Sequence, residues 1–187
     1  MTLFAERGYD GTSVADIQIA AGLTGGSGAL YKHFASKRAI LEAGVDAYVD
    51  ALTANSSATV RELPADPRKA LEAIASSVID SMTADETILR VLLRDLDRHP
   101  ELVERLWDGV LANVYTEMAD WIRGQVAGGA IDVSDPDAVA AVLMSALTQW
   151  PILHALIRKT PGGLTRQAFI SAWSDTASRV LHLPSLH

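Results

Sequence analysis

The stretch SVADIQIAAGLTGGSGALYKHFASKRAIL, residues 13–41, decides how the rest of the chain is read. Ser13 offers an N-cap, and Asp16 three positions on completes a capping box, so a helix starts here. Val14, Ile17 and Ala21 form its apolar face and Gly22 stops it. Thr24-Gly25-Gly26-Ser27-Gly28 can only be a turn. A very short helix is expected over residues 29–34. Ser36 then caps a long helix with Ile40, Leu41, Val45, Tyr48, Val49 and Leu52 on one stripe. Helix, glycine-containing turn and short second helix is the layout of a helix-turn-helix. In that motif the second helix enters the DNA major groove while the first crosses the backbone. Upstream, a short first helix ends near Arg7 with Gly8 as its stop.

Downstream the punctuation stays helical, with apolar residues at three- and four-residue steps and no alternation of period two. Pro64-Ala65-Asp66-Pro67 breaks the long fourth helix, and Asp66 with Pro67 opens a fifth. Thr83 and Glu86 read as a capping box for a sixth, which His99-Pro100 ends. Leu102 to Ile122 read as one long seventh helix closed by Gly128-Gly129. Asp135-Pro136 starts an eighth that reaches Lys159, with a kink expected at Pro151. Thr165 starts a ninth. The fold class is therefore all-α.

Of the 187 residues 49% are hydrophobic and 21% charged, enough apolar content for a sizeable core. None is cysteine, which excludes disulfides, thiolate metal sites and cysteine nucleophiles. No signal peptide opens the chain, and no apolar run is expected to span a membrane, so the expectation is a cytoplasmic protein with no membrane partner. The net charge of −7 argues against nucleic-acid binding over the whole surface. The bases of the first 40 residues cluster, however: Lys32, Lys37 and Arg38 fall within seven positions. Lys37 and Arg38 occupy a first helical turn, where cations oppose the helix dipole unless an anion such as a phosphate docks there. A solvated turn is the plainer reading of the same charges.

Enzymatic readings find no support. The five histidines lack metal-binding spacing, the Gly25–Gly28 run lacks the lysine of a phosphate loop, and no G-x-S-x-G elbow exists. The expectation is no catalysis and no cofactor.

Leu3-Phe4-Ala5-Glu6-Arg7-Gly8-Tyr9-Asp10-Gly11-Thr12-Ser13, Ala21-Gly22-Leu23-Thr24 and Gly28-Ala29-Leu30-Tyr31-Lys32-His33-Phe34-Ala35-Ser36-Lys37 resemble the opening of tetracycline-repressor-type (TetR family) transcriptional regulators. The resemblance runs from residue 3 to about residue 45. It implies a helix-turn-helix DNA-binding domain over residues 1–45 and a larger helical effector-binding and dimerisation domain over residues 46–187. The family's first helix normally begins further upstream, so the expectation is either a shortened start or the lack of part of the DNA-binding unit, and the turn between Thr24 and Leu30 is longer than in many members. By resemblance Leu30 and Phe34 pack inward, Thr24 caps the turn near the DNA backbone, and Tyr31 and Lys37 meet phosphate. Ser27, Gly28, Ala29, Lys32 and His33 are the candidates for facing bases.

The family's last two long helices usually pair with those of a second subunit. The resemblance thus implies a homodimer through residues about 136–182, where Trp150, Leu153, Leu156, Ile157, Phe169 and Trp173 are the large apolar side chains. Those side chains read equally well as one subunit's core. Trp107, Tyr115, Met118, Trp121, Met144, Trp150 and His154 are candidates to line an apolar effector cavity, because such sites combine aromatics with a few polar groups. Arg90 and Arg94 are read as surface ion-pair partners. The resulting expectation is a repressor that leaves double-stranded operator DNA when an unknown small molecule binds. The alternative is a helical ligand-binding or dimerisation module that no longer binds DNA.

Overall fold

The computed structural model describes residues 1–26, 28–84, 86–95 and 99–183. No strand occurs among them. Their α-helices follow in the order α1 Thr2–Arg7, α2 Val14–Ala20, α3 Lys37–Arg61, α4 Pro67–Ala84, α5 Glu86–Asp95, α6 Pro100–Leu106, α7 Ala112–Ala127, α8 Pro136–Ile157 and α9 Arg166–Val180. Short 3-10 turns at Ala29–Lys32 and Pro161–Gly163 and a π-helical turn at Trp107–Leu111 complete the described elements.

The helix starts follow local chemistry. Ser13 accepts from the Asp16 amide while the Asp16 carboxylate accepts from the Ser13 amide, a full capping box. Ser36, Asp135 and Thr165 cap α3, α8 and α9 through their side-chain oxygens. Asp66 accepts from the Arg68 amide and opens α4. Thr83 does not cap α5 as expected. It still belongs to α4, and its hydroxyl donates back to the carbonyl of Ile79 at 2.7 Å.

Two other expectations change. Residues 100–127 are not one regular helix, because the π turn inserts between α6 and α7. The inserted residue breaks the helical register, so Leu102 can enter one core while Met118 enters another. The hydrophobic spacing hid this, since one extra residue leaves a three-to-four-residue rhythm intact. And α8 ends at Ile157, with Arg158 left-handed at its C-cap (φ 55°), rather than at Lys159. It runs through buried Pro151 as a single helix. By length and composition alone α8, 22 residues long with a mean hydropathy of 1.5 over its most apolar 18 residues, could cross a membrane, contrary to the sequence expectation. In the bundle its apolar face instead contributes Leu143, Met144, Leu147 and Trp150 to a core.

There are two cores. The larger is built by α4, α7, α8 and α9, with Leu71, Ile79, Ile122, Leu147 and Leu181 fully inside. The smaller joins α1, α3, α5 and α6 through Phe4, Leu41, Val45, Val91, Leu92 and Leu102. The link between short α1 and α2 is folded back on α1 by Thr12, whose buried hydroxyl lies within hydrogen-bond reach of the carbonyls of Gly8 (2.8 Å) and Leu3 (3.1 Å). α3 spans both regions: its first half carries Leu41, Val45 and Tyr48 into the small core, and its second half forms the wall of a cavity.

Candidate nucleic-acid interface and effector cavity

α2, the turn after it and the Ala29–Lys32 segment make the helix-turn-helix. The expected short α-helix over 29–34 is a 3-10 turn ending at Lys32, followed by a single helical bond from the Phe34 amide to the Leu30 carbonyl. Only seven residues separate Gly28 from Ser36, which caps α3, and runs this short favour the tighter helix. Gly28 enters it in the left-handed region (φ 69°), a conformation costly for any side chain. Leu30 and Phe34 are half-buried, as expected, while Tyr31 (56% exposed), Lys32 and His33 project together into solvent. The side chains of Tyr31, Lys32 and His33 make no hydrogen bond or ion pair among the described residues. Thr24 is exposed on the turn, Ala29 begins the 3-10 segment, and Ser27 lies outside the described residues.

Sequence reasoning passed over Gln18. It is 1% exposed, although it lies on a short surface helix, and its Oε1 accepts from the Gly26 amide at 2.6 Å. The long turn is thus tied to α2 by a side chain whose carboxamide reaches a glycine eight residues on. The signal was available as a polar residue beside Ile17 on the packed face. Gln18→Ala removes the acceptor and leaves the Gly26 amide without it, an expected loss of about 1–3 kcal/mol in urea unfolding. Gln18→Glu keeps the acceptor but buries a carboxylate with one amide partner, and is expected to lose at least as much.

Lys37 and Arg38 are partly spoken for inside the chain. Lys37 Nζ donates to the Tyr9 carbonyl at 2.8 Å and lies 4.2 Å above the Tyr9 ring centre, a cation–π contact. Arg38 bonds Glu42 at 2.8 Å and Glu101 at 2.7 Å. The two first-turn cations that oppose the dipole of α3 therefore have internal partners. Tyr9 in turn meets the ring of buried His99 edge-on, centroids 4.9 Å apart. Burial raises the Tyr9 phenol above its usual range. Glu101 titrates low chiefly because its own backbone amide favours the carboxylate; burial opposes this, and Arg38 and then His99 add to the lowering. This junction docks the start of α6 on the start of α3, next to the helix-turn-helix.

The cavity occupies about 890 Å³, including its open mouth, among α3, α4, the π turn, α7 and α8. Its walls are mostly aliphatic, with Leu52, Val78, Leu89, Val110 and Val114 among them. Of the expected lining residues, Met118, Trp121 and Met144 are there. Trp107, Tyr115, Trp150 and His154 are not among the lining. Trp107 is half exposed and tilts against Tyr115, and Trp150 stacks on His154 with parallel rings 5.5 Å apart. These aromatics found each other or a core instead of the void. The polar lining comes from short side chains that sequence reading missed: Ser56 bonded to Glu117, Thr59 at 2.6 Å from Ser77, Ser81 and Thr148. Their signal is Ser and Thr recurring on the inward stripes of α3 and α4.

The π turn is fitted against α3 at Gly109. A Cβ there would come within 2.6 Å of Val49 Cγ1. Thr53 of α3 donates to the Gly109 carbonyl at 3.0 Å, satisfying an acceptor in the irregular turn. Leu106, Val110 and Leu111 of the same segment line the cavity. Cavity, π turn, α3 and helix-turn-helix are thus in continuous contact.

Of the α8 and α9 apolar residues expected at a subunit interface, Trp150 (7% exposed) and Trp173 (5%) are core, and Leu153 and Phe169 are half-buried. Leu156, Ile157 and Val142, the last 68% exposed, face out. Arg90 pairs with Glu86 at 3.6 Å as expected, whereas Arg94 reaches the Glu6 carbonyl at 3.3 Å.

An all-helical bundle that presents a helix-turn-helix at one end and encloses an apolar cavity behind it is the architecture of a one-component DNA-binding transcriptional regulator. Residues 1–43 match the model for bacterial regulatory proteins of the tetR family, and residues 69–170 match that for the C-terminal domain of AefR-like transcriptional repressors. The HTH-type transcriptional repressor KstR2 of Rhodococcus jostii (strain RHA1) is 32% identical over 155 residues, covering 80% of this chain and 72% of that protein. In fold, the TetR family transcriptional regulator PfmR of Thermus thermophilus superposes with a TM-score of 0.71 at 21% identity, covering 100% of this chain and 93% of that one. The ketosteroid transcriptional regulator KstR2 of Mycobacterium tuberculosis gives 0.67 at 21% identity, covering 98% and 90%. The chain belongs to the TetR family of transcriptional regulators. Members of this family bind operator DNA and form homodimers, and the relatives found are regulators of transcription.

Proposed function

We propose that the protein is a cytoplasmic, non-enzymatic repressor that binds double-stranded operator DNA as a homodimer through residues about 136–182 and is released by a small molecule in the cavity. In this reading residues 1–45 bind DNA and residues 46–187 bind effector and partner, with no membrane involved. The observation that carries it is the sharing of α3: one helix leaves the helix-turn-helix and becomes a cavity wall. An effector that favours a different packing of the π turn on α3 changes the spacing of the two recognition segments, which must match successive major grooves about 34–36 Å apart. Coupling of this kind is typically worth about 1–3 kcal/mol, or roughly 5–150-fold in occupancy. Mobility shift with the DNA beside its own gene tests binding. A screen for small molecules that both raise thermal stability and release that DNA tests the effector.

Exposure supports a division of labour within the recognition segment. Lys32 is long enough to donate to guanine O6 or N7 and specifies sequence. Tyr31 and Thr24 offer their hydroxyls to phosphate, while Gly28 and Ala29 bring backbone close to the duplex and His33 faces the groove edge. Lys37, already bonded to the Tyr9 carbonyl, keeps further ammonium protons for a phosphate. Lys32→Ala is expected to change the operator motif recovered from a randomised DNA pool, and Tyr31→Phe to weaken all operators alike. An unchanged motif for Lys32→Ala would reverse these roles.

A further inference from the structure

We propose that the cavity selects an elongated apolar amine whose protonated nitrogen is held by Glu117, and that it discriminates against carboxylates. The inference rests on the cavity being the effector site and names the chemistry that site accepts. Among the described residues no lysine, arginine or histidine contributes to the lining, and Glu117 is the acid there. Glu117 is half-buried on α7, and only one of its oxygens, Oε2, has a partner among the described residues, the Ser56 hydroxyl. No ion pair of Glu117 occurs among those residues.

A ligand that fills the cavity strips water from this carboxylate and leaves it beside aliphatic walls with a single hydroxyl for company. A cation seated beside it recovers that loss through a charge-assisted hydrogen bond to Oε1. An alcohol can donate to the same oxygen but leaves the charge unmatched. A carboxylate ligand meets like charge in an apolar setting. Trp121, four residues on and therefore on the same face of α7, also lines the cavity and offers a ring to a cation. The remaining lining suits a chain: it runs along α3 from Tyr48 to Val60, a helical rise of ~18 Å.

The test is calorimetric titration of the full chain with dodecylamine, dodecanol and dodecanoate, each kept below its aggregation concentration. The expected order of affinity is amine, then alcohol, with dodecanoate weakest. Glu117→Gln, which keeps size and one acceptor, should lower dodecylamine affinity about tenfold or more, the size of a lost charge-assisted bond. It should leave dodecanol nearly unchanged and improve dodecanoate. Glu117→Asp serves if the glutamine variant does not fold, with the amine weakened and the alcohol retained. Dodecanoate binding as tightly as dodecylamine, or amine affinity indifferent to both variants, overturns the proposal while leaving the cavity as a binding site. Failure of all three compounds to bind the wild-type chain overturns the proposal together with the cavity reading beneath it.

Discussion

A glutamate in place of Val142 should convert the protein to a folded monomer that no longer holds operator DNA. Val142 is 68% exposed, the most exposed of the large apolar side chains, and it lies in the first half of the most apolar helix among the described residues. Its neighbours on the outer face of α8, Ala138, Ala141, Ser145, Ala146 and Gln149, are small or uncharged and also exposed. A helix 22 residues long with one uncharged side turned outward is what an isologous interface uses, because two-fold symmetry brings the same face of each subunit together. Symmetry also doubles the defect: each dimer would carry two buried carboxylates without partners, at several kcal/mol in all. The monomer keeps one recognition segment, and losing the second half-site should reduce operator affinity by at least about a hundredfold. Sedimentation reports the mass, circular dichroism the retained helix, and mobility shift the DNA. Thr116→Glu, on an exposed part of α7, is the control and should remain dimeric. A Val142→Glu protein that sediments as a dimer and shifts DNA normally would place the subunit interface elsewhere.

What could be read in the sequence was what is decided locally. Ser13 and Asp16, Ser36, Asp135 and Thr165 cap helices because a cap involves only the next three residues. Gly8 and Gly28 sit where the chain needs a left-handed residue. The inward pairing of Leu30 and Phe34, and the outward turn of Tyr31, Lys32 and His33, followed from spacing plus family resemblance. What escaped depends on partners distant in sequence. Lys37 looked free for phosphate because nothing local shows that Tyr9, 28 residues earlier, supplies a carbonyl and a ring. Arg38 has its second carboxylate 63 residues away, on α6. The cavity was sought among aromatics, yet large rings close voids. Trp150 packs on His154 and Phe169, and the void is left where short side chains such as Ser56, Thr59 and Ser77 face one another. The π turn could not be seen either, since its signature is a register change that only the two cores reveal.

Trp173→Ala should cost the chain about 3–5 kcal/mol of stability, the largest loss expected from any one side chain. Trp173 is 5% exposed on α9, inside the larger core with Leu143, Met144 and Ile170, and its indole nitrogen donates to the Leu143 carbonyl at 3.0 Å. Two effects are combined in that number and can be separated. The hydrogen bond runs to a carbonyl in the middle of α8, which can also accept within its own helix, so removing the donor leaves no orphaned acceptor. Trp173→Phe keeps most of the apolar volume, drops the bond, and should therefore cost only about 1–2 kcal/mol. The alanine variant opens a void between α8 and α9, the two helices that carry the outer face with Val142. It should weaken subunit association as well, so unfolding must be compared at one fixed protein concentration. Urea unfolding of the three proteins at two concentrations gives both quantities. If phenylalanine costs as much as alanine, the indole bond rather than the packed volume holds α9 to α8. If neither costs more than about 1 kcal/mol, Trp173 does not sit in the core that defines the effector half of the molecule.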